Sequence, residues 1–524
     1  MWDTPVWVVS DVPRGLWSAG LVSGFDGFSE RELRGICYAQ AQLLGQQARR
    51  LAEQAEQLGQ LAQVRAEVAQ LRAEVDRLRR RLSRNSGNSS MPPSSDGVLP
   101  GTARPEPPPR AATRRRGRQP GAPGSALRWA SDPAIEDHRP HGPCPGCGAD
   151  LADAVSTRVV RAWQVTDIPV VTAMVTEHRV HAVVCGCGRR TTATPAVPAP
   201  DAPCSYGPNL AALVVYLLVA HALPVDRAAG LVADLTGARP STGYVHGLLT
   251  RAATAVRRPV AAIAAGLRRA GVVHFDETTL RVGPAPHRGH VWVAATDLLT
   301  LYHLGARTVA AFADFDIGRH LHGVVVRDGY AVYDSDRAFD QTRVTHQLCV
   351  AHVLRHLTDA AQAHPDHRWP DQAADALRGL VHAHHTARHA GQTAIPAPTA
   401  GPLIADYRAA VSTGLTALPR RPGRGGQLPA RNLLDCLHDL DEDILRFCHD
   451  TRIPPTNNQA ERDLRPHKTQ QKISGRLTSA TITEHRLAIR SYLSTAVKHG
   501  RDALTTLRHA LLDDPWIPPI PATL

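Results

Sequence analysis

The chain has 524 residues, enough for two to four domains, and it is basic: 60 Lys and Arg stand against 48 Asp and Glu, a formal charge of +12. A surplus of that sign points to a polyanionic partner, nucleic acid above all, and says nothing of fold. No run of 18 apolar residues argues for a membrane span, and nine cysteines, odd in number and partly in close pairs, suit zinc ligands in a reducing cytoplasm better than a disulfide framework.

Residues 1–28 form an unassigned extension; the opening MWDTPVWVVSDVPRG lacks a basic start and does not read as a signal peptide. From Glu30 the pattern turns helical. Leu44, Leu51 and Leu58 fall seven apart, and Leu61, Val64, Val68, Leu71, Val75, Leu78 and Leu82 alternate steps of three and four. That is a heptad seam with a stammer at Leu58-Leu61-Val64, and it predicts a coiled coil over 29–84 and hence a homo-oligomer; the alternative is one amphipathic helix packed on its own domain. Residues 85–130, opening NSGNSSMPPSSDG and rich in Pro and Arg, read as linker. Arg110, Arg114, Arg115, Arg116 and Arg118 make it a cationic tether that either grips phosphates or merely solubilises.

Two short cysteine pairs follow, Cys144 and Cys147 in CPGCG and Cys185 and Cys187 in CGCG. Thiolates so spaced on Gly-containing turns can share one tetrahedral zinc, which predicts a zinc-ribbon-like, DNA-binding module over 131–200. The second pair is tight enough that His181, His178 or His141 is an alternative ligand. Between them RAWQVTDIPVVTAMVTEHRVHAVV alternates as hairpin strands do. Residues 201–268 read as a helical domain, a packed lead-in more than a helix-turn-helix reader, because its exposed faces carry little positive charge.

The remaining stretch, 269–515 with a tail of 516–524, carries the chemistry. In HFDETTLRV (274–282) an apolar strand delivers Asp276 to its exit; HVWVAAT and LYHLGAR are two more strands, a helix runs to about Arg319, and HGVVVRDG ends a strand on Asp328. Strand-Asp, strand, strand, helix, strand-Asp is the order of a ribonuclease-H-like α/β core, in which the first and fourth strands lie side by side. A third carboxylate is expected from TNNQAERDLRPHKTQQKISG (456–475), where Asn458, Glu461, Arg465, Lys468 and Lys472 share one helical face, with Pro466 kinking or interrupting it. The bland reading makes Asn458 and Glu461 a capping box. It leaves unexplained the cations behind them, which include two of the chain's three lysines.

With these motifs in order, the chain resembles the large-subunit transposases of the insertion sequence 66 family. The resemblance spans nearly everything after residue 30 and rests on RNSGNSSMPPSSD, CPGCG, CGCG, LPVDRAAGLVADLTG, HFDETTLRV, VVVRDGYAVY, HQLCVAHVLRHL and NNQAERDLRPHK. It implies a DDE triad of Asp276, Asp328 and Glu461 in a retroviral-integrase-like core, with a helical insertion at about 358–445. HQLCVAHVLRHL, carrying His346, Cys349, His352 and Arg355, is read as a helix with one buried polar face rather than a metal site. The second cysteine knuckle departs from the family's usual two-residue spacing.

The expected activity is phosphodiester cleavage and joining of transposon ends to target DNA, with Asp276, Asp328 and Glu461 holding two Mg²⁺ or Mn²⁺ about 3.5–4 Å apart and Asn458, Arg462, Arg465, Lys468 and Lys472 on the DNA. Structural Zn²⁺ on the four cysteines, terminal inverted repeats and target DNA as partners, small companion proteins of the same element, and a cytoplasmic, nucleoid-associated location complete the expectation. The rival readings are a ribonuclease-H-like nuclease that cuts without joining, and a catalytically inactive DNA-binding relic.

Overall fold

A computed structural model describes residues 27, 29–83, 126–152, 154–155, 158–195, 202–421 and 426–520, and the chain divides into two compact units. The expectations for residues 1–26 and for the Arg-rich part of the linker lie outside the described residues.

The first unit contains α1 (Glu30–Ser83), one unbroken helix of 54 residues. Ser29 starts it: its hydroxyl and its N–H both donate to the Glu32 carboxylate, at 2.7 and 2.8 Å. Leu44, Leu51, Leu58, Leu61, Val64, Val68, Leu71, Val75 and Leu78 are all exposed on the single chain.

In the second unit each cysteine pair sits on its own tight turn. Cys144 N–H donates to Ala149 O (2.7 Å) and Gly148 N–H to Cys144 O (2.8 Å); Cys185 and Gly188 repeat the pattern with Arg189 O (2.9 Å) and Cys185 O (2.7 Å). Gly148 and Gly188 take φ of +77° and +83°, the left-handed region such turns require. The hairpin expected over 161–184 is shorter than its alternation suggested: only β1 (Ala182–Val184) and β2 (Arg190–Thr192) pair, antiparallel. A strand needs a ladder partner, and among the described residues the stretch before Ala182 has none, leaving Ile168, Val170, Met174 and Val175 exposed.

Helices α2 (Pro208–Val219), α3 (Val225–Thr236), α4 (Thr242–Ala255) and α5 (Arg257–Arg268) follow. Ser241 caps α4 by accepting the Tyr244 N–H. These helices do not enclose a core of their own. Val214, Leu218, Val245 and Leu248 share one apolar cluster with Ile489, Tyr492 and Leu507 from α13 (Ala480–Lys498) and α14 (Ala503–Leu511). The lead-in is thereby welded to the end of the chain.

At the centre is a five-stranded sheet of β3 (Val272–Leu280), β4 (Gly289–Ala295), β5 (Thr300–Gly305), β6 (Gly323–Arg327) and β7 (Val344–Leu348), in the order β5-β4-β3-β6-β7. The first three form an antiparallel meander; β6 joins β3 in parallel and β7 joins β6 in parallel. The short helix α6 (Val309–Asp314) lies between β5 and β6. Period-two alternation sorts the side chains. Phe275 and Trp292 pack on one face with Phe312, Tyr333 and Phe339, while Leu280, Val291 and Val293 pack on the other with Ala460 and Leu464 of α12 (Asn458–Ile473).

Between β7 and α12 runs a helical insertion: α7 (Val350–Ala363), α8 (Trp369–His389), α9 (Ala397–Ala417), α10 (Pro429–Asp439) and α11 (Asp441–Leu445), around Trp369, Leu377, Tyr407 and Leu434. HQLCVAHVLRHL is not one helix: His346 and Gln347 belong to the edge strand β7, and Cys349 is the N-cap of α7. Gln347 accepts the Phe447 N–H (2.8 Å) and donates to Ile444 O (3.1 Å), and Arg446 donates to His346 O (2.7 Å). The insertion thus satisfies the open edge of the sheet.

Candidate active site

The parallel register aligns Val272, Val273 and His274 of β3 with Val324, Val325 and Val326 of β6. Asp276 and Asp328 stand two residues beyond the last of these pairs on their respective chains, so they lie level with one another on neighbours about 4.8 Å apart. Asp328 follows the end of β6, whereas Asp276, expected at a strand exit, lies inside β3, which pairs with β4 as far as Leu280. Asp276 lies on the α12 face of β3, and α12 carries Glu461 one turn from its start. The charges meet. Burial raises the Asp276 carboxyl well above the ordinary aspartate range, and Glu277, Asp328 and Glu461 push it further in that order, against one opposing N–H···O bond from Glu277 N (2.8 Å).

α12 is held in place by Asn457, which is fully buried. Its Nδ2 donates to Phe275 O (2.7 Å), its Oδ1 accepts from His274 Nδ1 (3.1 Å), and its backbone N–H donates to Cys349 Sγ (3.2 Å). Strand, helix and insertion are pinned at one residue. Asn457, not Asn458, is the N-cap of α12, and it makes no side-chain cap. The capping-box reading of Asn458 and Glu461 is therefore excluded: Asn458 is exposed, and Glu461 Oε1 is buried with no hydrogen-bond partner among the described residues. Pro466 does not interrupt the helix, which runs unbroken to Ile473.

A second layer fixes the loops. Glu277, whose side chain is 5% exposed, accepts from Arg307 (2.8 Å) and from the Tyr333 hydroxyl (2.9 Å). Arg307 stacks 3.9 Å from the Tyr330 ring, and the Tyr330 N–H donates to Asp328 Oδ1 (3.0 Å). On the other side the buried Arg327 donates to Asp328 O (3.1 Å), to His346 Nδ1 (3.0 Å) and to Asp334. Burial, Arg327 and Arg446 hold His346 down to about 3, so the ring stays neutral and passes its Nε2–H to Gln341 Oε1 (2.8 Å).

On the outer face of α12, Asn458, Arg462, Arg465, Lys468 and Lys472 are all exposed. Among the described residues Arg465, Lys468 and Lys472 have no acidic partner, so that face presents uncompensated positive charge beside the acids. Lys498, the third lysine, differs: it is inside, donating to Asp463 (2.7 Å), Thr296 O (2.7 Å) and Leu299 O (3.0 Å).

The cysteine turns are set up for thiolate. N–H groups of Gly146 and Cys147 and the Cys147 side chain lower the Cys144 thiol, and the Cys187 N–H and side chain lower that of Cys185. The four sulfurs are not gathered. Among the described residues the one group of three metal-ligating side chains with all ligand atoms within 4.8 Å is Cys349, His352 and Glu461. Burial raises the Cys349 thiol to about 11.

Fold and site together define a mixed α/β protein with an acidic cluster on two neighbouring parallel strands, faced by a third acid on a helix packed against the sheet. Residues 203–484, more than half of the chain, match the Transposase IS66 family, and residues 40–128 match a family of unknown function (DUF6444). The chain belongs to the Transposase IS66 family, which implies a DNA-processing enzyme that uses divalent metal. No curated protein matches it. No helix of the described residues is long and apolar enough to cross a membrane.

Asn457, Glu277, Arg307, Arg327 and the closeness of His352 to Glu461 were not read from the sequence. The signals present were thin: a second Asn before α12, a second acid after Asp276, and an arginine before Asp328.

Proposed function

We propose that this protein is a DDE transposase with a ribonuclease-H-like core, cleaving transposon ends and joining them to target DNA. The observation that carries the reading is the β3–β6 register, which sets Asp276 and Asp328 level on neighbouring strands on the side where α12 carries Glu461; burial first, and then the neighbouring acids, raise the Asp276 carboxyl. Like charges collected in a partly desolvated pocket need a shared proton or a cation to offset them, and a third acid in the cluster favours the cation. The orphaned Glu461 Oε1 fits the same donor set, since hard divalent cations take carboxylate oxygens. The strand order and the antiparallel-then-parallel pairing support the core assignment.

Asp276, Asp328 and Glu461 are the residues that would hold Mg²⁺ or Mn²⁺, which when bound activates an attacking oxygen and stabilises the leaving one. The rest is done by the chain. Asn457 and the Glu277–Arg307–Tyr330 bridge fix the three carboxylates before DNA arrives. Asn458, Arg462, Arg465, Lys468 and Lys472 take the DNA backbone alongside, as point contacts and forks on phosphate oxygens. The exposed Leu and Val seam of α1 is assigned to coiled-coil pairing between copies. Cys144, Cys147, Cys185 and Cys187 are assigned to a zinc site closed by metal, so metal analysis should find one zinc per chain, lost in Cys144→Ser.

Strand transfer with pre-cut terminal ends tests the whole reading. Joined products in Mg²⁺ are expected from the wild-type chain and none from Asp276→Asn. Cutting of intact ends with no joining of pre-cut ones would reduce the protein to a nuclease.

A further inference from the structure

The starts of α7 and α12 are stitched together: besides the Asn457–Cys349 contact, Val350 N–H donates to Pro455 O (2.9 Å). That junction turns the third residue of α7, His352, toward Glu461. His352 Nε2 lies 3.9 Å from Glu461 Oε1, and Arg355, one turn further on, lies 4.0 Å from the same oxygen. Both separations are too long for hydrogen bonds. The first falls within the range open to two ligands of one cation, whose donor atoms stand between about 3 Å apart at a right angle and about 4.2 Å in trans for bonds of about 2.1 Å.

The atoms concerned have nothing else to do. Glu461 Oε1 and His352 Nδ1 are buried without hydrogen-bond partners among the described residues. Buried polar side chains mostly find a partner; His384 is another buried histidine left unpaired, and what sets His352 apart is the Glu461 carboxylate 3.9 Å from its Nε2. Cys349, the third member of the cluster, is committed already, its sulfur accepting the Asn457 N–H.

We propose that His352 Nε2 is a ligand, with Glu461, of one catalytic divalent cation, making the site three carboxylates and one imidazole. This rests on the metal-dependent reading above and deepens it. An imidazole nitrogen is a softer donor than a carboxylate oxygen, so the position it completes favours Mn²⁺ over Mg²⁺ more than an all-oxygen site does.

Electron spin echo modulation of Mn²⁺ bound to the full-length chain detects a directly bound ¹⁴N without reference to activity. The wild-type chain should bind Mn²⁺ and show nitrogen modulation. His352→Gln should lose the modulation and weaken Mn²⁺ at least about tenfold. His352→Asp, which restores an oxygen ligand, should retain Mn²⁺ without modulation and shift cleavage preference toward Mg²⁺; it also guards against a folding defect in the first variant. Asp276→Asn separates the two levels. If Mn²⁺ binds in an Asp276-dependent manner with no nitrogen modulation, the His352 assignment is wrong and the carboxylate site stands. If Mn²⁺ binding is indifferent to Asp276, both are wrong.

Discussion

Asn457→Ala is the most informative single change outside the acids. It removes the Nδ2–H that satisfies Phe275 O and the Oδ1 that takes the His274 proton, in a place water does not reach. Each buried group left unpaired costs about 1–3 kcal/mol, so the junction of β3 and α12 should lose about 2–4 kcal/mol once some relaxation is allowed. A loss of about 2.8 kcal/mol is a hundredfold change in the opening equilibrium. Hydrogen exchange read peptide by peptide is the assay, because it reports the local opening of 272–280 and 458–473 without requiring the whole chain to unfold in one step. Exchange there should accelerate by about 30-fold or more, with little change in the insertion around Trp369 and Tyr407. Asn457→Asp, the same size, keeps an acceptor but loses the donor and adds a charge to an acidic site, and should be at least as damaging at neutral pH. Acceleration below about threefold in both variants would refute the claim that Asn457 holds the helix to the strand.

Other expectations follow from the same geometry. In metal-free protein the raised Asp276 carboxyl contributes stability that is fully present below the unfolded-state pKa and is lost as pH rises through the folded one. Asp276→Asn should therefore melt higher than wild type at pH 7.5, with the gap closing toward pH 4; a variant less stable at pH 7.5 would contradict the crowding. Breaking the inner ion pair by Lys498→Met strands Asp463 beside Thr300 and Gln459, and should cost about 3–5 kcal/mol in denaturant unfolding. Replacing both partners with apolar residues should cost less than replacing one. Gly414→Ala would bring a Cβ to 2.5 Å from Leu434 Cδ2 and 2.9 Å from Trp369, so the insertion should lose about 1–3 kcal/mol, seen as reduced protection of α9. Leu71→Arg should shift the full-length chain to a smaller species in light scattering if α1 pairs copies through its seam.

What could be read ahead of the structure was what local pattern encodes. An apolar run ending in Asp placed Asp328 just past its strand, and steps of three and four placed Glu461 on a helix. The same reading put Asp276 at a strand exit, whereas β3 runs on to Leu280 with Asp276 paired to Val293, because pairing with β4 carries the strand past its apolar run. β7 escaped because its sequence, VTHQL, is half polar, and the partners that make His346 and Gln347 buryable come from Arg327 and from residues 444–447. Asn457 escaped for the same reason. An asparagine before a helix reads as a cap, and only the approach of Phe275 and Cys349, more than a hundred residues earlier, makes it a bolt. The over-long hairpin of 161–184 is the reverse error: alternation supplies a face, and the ladder partner that face needs is not in the local sequence.

The most direct measurement is single-turnover cleavage of duplex carrying a terminal repeat, in Mg²⁺, by wild type and by Asp276→Asn, Asp328→Asn and Glu461→Gln in parallel with DNA binding. If three acids act as one metal-holding unit, each variant loses cleavage by about a thousandfold or more while binding the end within about twofold of wild type. Cleavage within tenfold of wild type by any one of them would remove that residue from the chemistry and the shared pocket with it.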